Sequence, residues 1–315
     1  MRNIRAILGF LVKAEVDAIF RQQPFELVNG EPDPFTAWRA SCKAIRNLSP
    51  TPLELEVGLI DESKLGVIGE VRSRSTFARY YEAVDDYQFA VVPVEGLLSP
   101  QWFADLDYVH ELSSQISESA SMEELVRFTM MEGSVTEPII NGAHVIFNSV
   151  RPDLHADQIP SVREIGHGEF EIVVRAGSRP NYVQVAMVGG RLILTNGVHR
   201  VCALHLRGYA NIPCLLRKVS RIEEAGLNLQ TSLFRPELIG GPRPAQVVDF
   251  LQGGVAATLK LRSMQHVLRI AIGVDMIKIP AIPNLALSQK KEPVEQFPNT
   301  DMFRSGPEGY PTASI

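Results

Sequence analysis

The residues with the clearest potential for chemistry form the run Asn196-Gly197-Val198-His199-Arg200, where an apolar strand turns into a helix. The first N–H groups of a helix lack partners within it, and the helix dipole places about half a positive charge there. Gly197 allows a ligand to approach the backbone, and Arg200 adds a guanidinium cation with several hydrogen-bond donors in one plane. His199 supplies a donor or, when neutral, a proton acceptor. The run therefore predicts an anion site, with phosphate as the expected ligand.

A purely structural role explains the same residues. In that interpretation the run is an ordinary strand–helix junction, and His199 and Arg200 bond carbonyl groups or pair with an acidic neighbour. The residue types alone leave both interpretations open.

The elements that must position this turn are predicted from residues 182–216. A strand at 182–188 reaches the hairpin turn Gly189-Gly190, and its partner strand follows at 191–194. A helix is predicted at 198–206, with Gly208 as its C-terminal glycine, and the next strand at 212–216.

The order of these parts resembles the signature of the ParB/sulfiredoxin-like superfamily, which also contains domains named ParB-like nuclease. That signature is a hairpin, a Gly-x-His-Arg turn, a helix rich in Ala and Leu, a glycine and an Ile-Pro strand. The matching residues here are Gly197-Val198-His199-Arg200, Ala203-Leu204, Gly208 and Ile212-Pro213. The resemblance covers residues 183–216, and the strand at 89–94 is a candidate for the opening strand of the family core.

The resemblance implies nucleotide binding at the turn. Members of the superfamily include CTP-binding partition proteins, ATP-dependent sulfinic-acid reductases and free-serine kinases. For this chain it implies ATP or CTP, with or without Mg²⁺, bound by the backbone of 196–200, by His199 and by Arg200. Arg179, just before Pro180, extends the positive pocket by analogy. Sulfiredoxins carry cysteine where this chain has Val198, which disfavours a thiol-mediated reaction.

Phosphoryl transfer needs a base and further charged groups beside an anion cradle. The candidates are His199 and Glu95, which follows the predicted strand 89–94; a carboxylate in a turn is more commonly just solvated. Asp105 and Asp107 lie two residues apart and do not share a helix face. The spacing of His144, His155 and His167 matches no metal-ligand pattern, so no metal site is predicted. Arg151, Arg163 and Arg175 precede the hairpin as further candidate cations.

The composition limits the class of protein. Hydrophobic residues make up 45% of the 315 residues, and the net charge of −5 argues against a dedicated nucleic-acid binder. The three cysteines, Cys42, Cys202 and Cys214, form no CxxC pair and are expected to be reduced and buried. No apolar run reaches the roughly 18 residues that a membrane span requires. We therefore expect a cytoplasmic protein without membrane association.

The expected fold class is α+β, a ParB/sulfiredoxin-like mixed-sheet core with helical N- and C-terminal extensions. The boundaries predicted are a mostly helical region at 1–85, the core with an insertion at 86–218, a helical region at 219–285 and a disordered tail at 286–315. Helices are expected at 4–21, 35–48, 74–84, 102–116, opened by Ser99-Pro100, and 119–131, opened by a Ser121/Glu124 capping box; a strand pair is expected at 53–66.

Three functional hypotheses follow. The first is a nucleotide-binding enzyme, an ATP-dependent phosphotransferase acting on a small molecule or a protein. The second is a non-catalytic regulatory module in which nucleotide or phosphate binding controls contact with a partner. The third is a ParB-type DNA-associated CTPase or nuclease, which the acidic balance weakens. Whether the chain is an enzyme at all stays open at this point.

Overall fold

A computed structural model describes residues 2–22, 33–51, 55–82, 86–132, 137–149, 154–156, 161–178, 180–225, 236–261, 266–271 and 273. The strands are β1 (Arg2–Ala6), β2 (Gly58–Leu59), β3 (Tyr87–Pro93), β4 (Phe103–Asp105), β5 (Ile139–Asn141), β6 (His144–Ser149), β7 (Leu154–Ala156), β8 (Ser161–Gly166), β9 (Glu169–Val173), β10 (Ala176–Ser178), β11 (Gln184–Val188), β12 (Arg191–Asn196), β13 (Asn211–Lys218), β14 (Ala257–Leu261) and β15 (His266–Ala271). The α-helices are α1 (Lys13–Gln22), α2 (Pro34–Ile45), α3 (Gly66–Arg72), α4 (Ser75–Phe77), α5 (Leu106–Ser113), α6 (Met122–Thr129), α7 (Val198–Leu206) and α8 (Pro236–Gly240). Short 3₁₀ turns lie at Leu8–Phe10, Glu62–Lys64, Ile222–Ala225 and Val247–Phe250, and a π-helical turn at Ala78–Glu82 continues α4.

The central element is a five-stranded mixed sheet with strand order β12-β11-β13-β3-β2. β11 and β13 are parallel, and the other neighbours are antiparallel. The connection from β11 to β13 runs through the hairpin Gly189-Gly190, β12 and α7, as expected from the sequence. Both hairpin glycines have positive φ, 55° and 80°, which the tight turn requires. This mixed architecture agrees with the α+β class.

The N-terminal segment differs from expectation, because β1 replaces the first part of the helix predicted at 4–21. β1 lies between β14 and β4, and α1 begins only at Lys13. Ile4 and Ala6 are buried while Arg5 turns outward, an alternation with the period of a strand. The Arg5 Nε–H donates to the carbonyl oxygen of Phe250 at 2.8 Å, which further ties this strand to the C-terminal part of the fold.

The helix expected from 102 also begins later than predicted. Residues 103–105 pair with β1 as β4, so α5 starts at Leu106. Asp105, rather than Ser99, caps it: its Oδ1 accepts the N–H of Tyr108 at 3.0 Å. The capping box of Ser121 and Glu124 on α6 is confirmed. Of the strand pair predicted at 53–66, the described part, residues 55–66, contains one paired strand, β2 (Gly58–Leu59).

The C-terminal region is not the helical one expected for 219–285. Its described part contains β14, β15 and short helical turns, because 257–261 pair with β1 and 266–271 pair with β6. The tail predicted to be disordered at 286–315 lies outside the described residues.

One cluster of buried hydrophobic side chains contains residues from all three predicted regions, 1–85, 86–218 and 219–285. Leu8 from the N-terminal segment, Val92 from β3, Val201 from α7 and Val248 near the C-terminal end belong to the same buried cluster. The predicted boundaries at 85 and 218 therefore do not coincide with separate cores. Cys202 and Cys214 are buried in this cluster as free thiols, as predicted, whereas Cys42 is only partly buried.

The segment 137–178, called the insertion below, is built differently from the core. Where the structure describes it, β6 pairs with both β5 and β15, β7 pairs with β10, and β8 pairs with β9. None of its described residues belongs to the clusters of buried hydrophobic side chains.

Candidate functional site

The turn between β12 and α7 depends on Gly197. This residue caps the helix with φ 99°, in the left-handed region, and no side chain caps the N-terminus of α7. A Cβ atom at position 197 would lie 2.8 Å from Cγ2 and 3.1 Å from Cα of Val183. The glycine is thus needed both for its dihedral angle and for the close approach of β11.

A small pocket of about 60 Å³ lies at this N-terminus. Its lining residues are Gln101, Tyr108, Leu112, Asn181, Asn196, Gly197, Val198, His199 and Arg200. The side-chain amides of Gln101, Asn181 and Asn196 form no hydrogen bond with the residues that the structure describes. The pocket therefore offers unused amide groups beside the uncapped first turn of a helix, where positive potential is concentrated.

His199 is held in one tautomer by the backbone. The N–H of Asp105 donates to His199 Nε2 at 2.9 Å, so the proton of the neutral ring is on Nδ1. Tyr108 packs edge-on against the imidazole, with ring centroids 5.4 Å apart. Burial, followed by the positive charges of Arg2 and Arg200, lowers the pKa of His199 to about 4. At neutral pH this side chain is an uncharged hydrogen-bond donor, and its Nε2 is occupied as an acceptor.

This lowered pKa predicts acid sensitivity. Between pH 6.5 and about 4 the unfolded chain protonates His199 while the folded protein does not. The free energy of unfolding is therefore expected to be highest above pH 6.5 and to fall towards pH 4, by at most about 3 kcal/mol from this residue. Urea denaturation across this pH range measures the effect.

His199→Gln keeps an acceptor near the position of Nε2 without the titrating ring, and the profile should flatten. His110→Gln changes an exposed histidine on α5 and serves as the matched control. An unchanged pH profile in His199→Gln would contradict the assignment.

Arg200 is 3% exposed, and its guanidinium contacts main-chain carbonyl groups. Nη1–H donates to the oxygens of Thr129, at 3.1 Å, and Asn181; Nη2–H donates to Met131 at 3.1 Å. These bonds to carbonyl groups are the contacts that the structural interpretation predicted for Arg200, whereas His199 accepts a backbone N–H, that of Asp105, instead of bonding a carbonyl group.

The other predicted site residues lie apart from the pocket or outside the described chain. Glu95 is exposed in the turn after β3 and does not line the pocket. Arg179 and Arg151 lie outside the described residues. Asp105 caps α5, and Asp107 accepts hydrogen bonds from Asn3, so both carboxylates have structural contacts.

Four lining residues were missed by sequence reasoning: Gln101, Tyr108, Leu112 and Asn181. Gln101 and Tyr108 come from segments far from the turn in the chain, and no local pattern marks them. Asn181 directly precedes the strand predicted at 182–188, and that position was the one available signal.

Within the described parts of the chain, no group of three or more His, Cys, Asp or Glu side chains is arranged to hold a metal ion. None of the helices described there is long and apolar enough to cross a membrane. The chain was also compared with known proteins, and no family model, curated protein or solved structure matches it.

Proposed function

We propose that the pocket at the N-terminus of α7 binds a phosphate group of a nucleotide, ATP or CTP, with or without Mg²⁺, and that the protein acts as a phosphate-responsive regulatory module. The observation that carries the proposal is the uncapped first turn of α7, which opens into a pocket lined by three side-chain amides that form no hydrogen bond with the described residues. The resemblance of residues 183–216 to the ParB/sulfiredoxin-like superfamily supports the choice of a nucleotide. The finer fold assignment, a core of that superfamily in a cytoplasmic protein, is part of the same proposal.

The size of the pocket limits what it encloses. Pockets that enclose a whole small molecule usually have volumes of about 300–1,000 Å³, whereas this one has about 60 Å³. A single phosphate group fits that space, and the sugar and base would lie outside its mouth. Binding would then rest mainly on the phosphate, with little selection among bases.

Two features favour regulation over phosphoryl transfer. The Nε2 atom of His199 already accepts a backbone N–H, and Glu95 does not border the pocket. Neither candidate base is therefore placed to receive a proton from an acceptor bound there. A phosphotransferase acting on a small molecule or protein, and a DNA-associated role, are the competing functions that the experiment separates.

The test is calorimetric titration of the full chain with inorganic phosphate, ATP, CTP and GTP, with and without Mg²⁺. Asn196→Asp keeps the shape of the side chain but adds a negative charge to the pocket. We expect this variant to bind phosphate at least about tenfold more weakly, because like charges repel strongly at short range. Asn211→Asp, at the exposed start of β13, is the matched control and should bind like the wild type.

Absence of binding by every anion would overturn the proposal. Nucleotide hydrolysis or transfer to an acceptor would replace regulation by phosphoryl transfer. Tight binding to DNA that weakens steeply with salt would instead support the DNA-associated role.

A further inference from the structure

The insertion 137–178 joins the core at a neck formed by residues 129–132 and 181–183. Two contacts link the sides of this neck directly. The N–H of Val183 donates to the carbonyl of Thr129 at 2.9 Å, and the hydroxyl of Tyr182 donates to Glu132 Oε1, also at 2.9 Å. The chain that leaves the core towards the insertion is thus bonded to the chain that returns from it.

Arg200 crosses the same neck. Its guanidinium donates to Thr129 and Met131 on the outgoing side and to Asn181 on the returning side. The residue belongs to the first turn of α7 and also lines the phosphate pocket. One buried cation therefore holds the neck of the insertion and borders the proposed ligand.

The neck matters because the insertion has few other attachments. In the part of the chain that the structure describes, its strands pair with one another and with β15, and not with the central sheet. Its described residues contribute nothing to the hydrophobic core. Contacts at the neck are therefore expected to have a large influence on how firmly the insertion is held.

We propose that Arg200 couples the pocket to the insertion. In the empty protein its guanidinium bonds the neutral carbonyls of the neck; a bound phosphate draws it away, and the neck loosens. The physical basis is the Coulomb attraction between the guanidinium and the negative charge of a phosphate, which a neutral carbonyl does not offer, together with the bidentate geometry that arginine–phosphate pairs adopt. The inference rests on the proposed phosphate binding, and it assigns Arg200 the role of a positioning residue for the insertion.

Hydrogen–deuterium exchange of the full chain tests the coupling. The reporters are two peptides, one spanning 129–132 and one spanning 180–183, and the second contains the Val183 amide. The reference is the peptide that covers β1. Saturating inorganic phosphate should accelerate exchange at the neck and leave β1 unchanged. Arg200→Met should reproduce that acceleration without phosphate, by about tenfold or more, because several buried hydrogen bonds from a charged donor are lost.

Three further variants test the mechanism. Arg200→Lys retains the charge but lacks the planar set of guanidinium donors, and exchange at the neck should accelerate less than in Arg200→Met. Arg207→Met removes an arginine–carbonyl bond at the other end of α7, where Nε–H donates to Ser113 at 2.6 Å, and should not affect the neck. Asn196→Asp should bind phosphate poorly and show no response to it.

The outcomes separate the two proposals. If calorimetry detects no phosphate binding, the proposed function fails and the coupling fails with it. If phosphate binds but exchange at the neck is unchanged or slower, the coupling is wrong and phosphate binding stands. Unchanged exchange at the neck in folded Arg200→Met would also overturn the coupling.

Discussion

Gly197→Ala is expected to lower the free energy of unfolding by about 3 kcal/mol, the sum of backbone strain and steric overlap. Residue 197 has φ 99°, which residues with a Cβ rarely adopt. The added methyl group would lie 2.8 Å from Val183 Cγ2 and 3.1 Å from its Cα, and the backbone atom belongs to a segment paired within the central sheet. Urea denaturation followed by circular dichroism measures the loss.

The matched control is Gly189→Ala in the hairpin before β12. Gly189 also has positive φ, 55°, but a Cβ there would meet no atom within 4 Å. The Gly189→Ala variant should therefore lose only the part of the free energy of unfolding that comes from backbone strain, about 1 kcal/mol. Equal losses in the two variants would mean that the contact with Val183 relaxes at little cost and that the turn is less tightly packed than the structure indicates.

Arg243→Met is expected to destabilise the fold by about 3 kcal/mol or more, because it leaves a buried carboxylate without its cation. Asp249 is fully buried, and Arg243 Nη1 lies 3.1 Å from its Oδ2. The same oxygen accepts the backbone N–H of Gln246 at 2.7 Å, so the pair also orders the 3₁₀ turn at 247–250. Thermal and urea denaturation both report the change.

Two further variants serve as controls for Arg243→Met. Arg221→Met breaks an exposed ion pair with Glu224 and should change stability by no more than about 0.5 kcal/mol. The double variant Arg243→Met/Asp249→Leu removes both charges and should be less destabilised than Arg243→Met alone. A double variant that is no more stable than the single one would show that the carboxylate is not the source of the loss.

The part of the fold best predicted from the sequence was the unit 182–216, because its signals are local. The glycine pair at 189–190, the break at Gly197 and the C-terminal Gly208 each impose a backbone conformation through their own residue type, and the structure has them in positive φ. The elements between them agree with the expected ranges. The resemblance to a superfamily, by contrast, stays a proposal.

The errors share one physical cause, which is pairing between segments distant in the chain. Ile4, Ile7 and Leu8 fit a helical spacing, yet residues 2–6 find strand partners at 257–261 and 103–105. Because residues 103–105 pair with β1, the helix expected from 102 begins only at Leu106. Because residues 257–261 also pair with β1, they form a strand within the region 219–285, which was expected to be helical. Period and propensity in a short window carry no information about such partners.

The site was predictable only where it is contiguous in sequence. Residues 196–200 are neighbours along the chain, and the structure places all of them on one pocket. The bond from Asp105 to His199 and those from Arg200 to the neck depend on tertiary packing. They change the interpretation of both side chains: His199 becomes a neutral donor, and Arg200 a cation already bonded to carbonyls.

The pairing of β1 with β14 has a consequence for how the chain folds as it is synthesised. Ile4 lies opposite Leu259, so this edge of β1 stays without its partner strand until residues 257–261 have been synthesised. At the usual rate of translation this delay is roughly 10 to 50 s. During that time one edge of β1 has unpaired backbone N–H and C=O groups, and a nascent chain held at this stage is exposed to aggregation and to capture by chaperones.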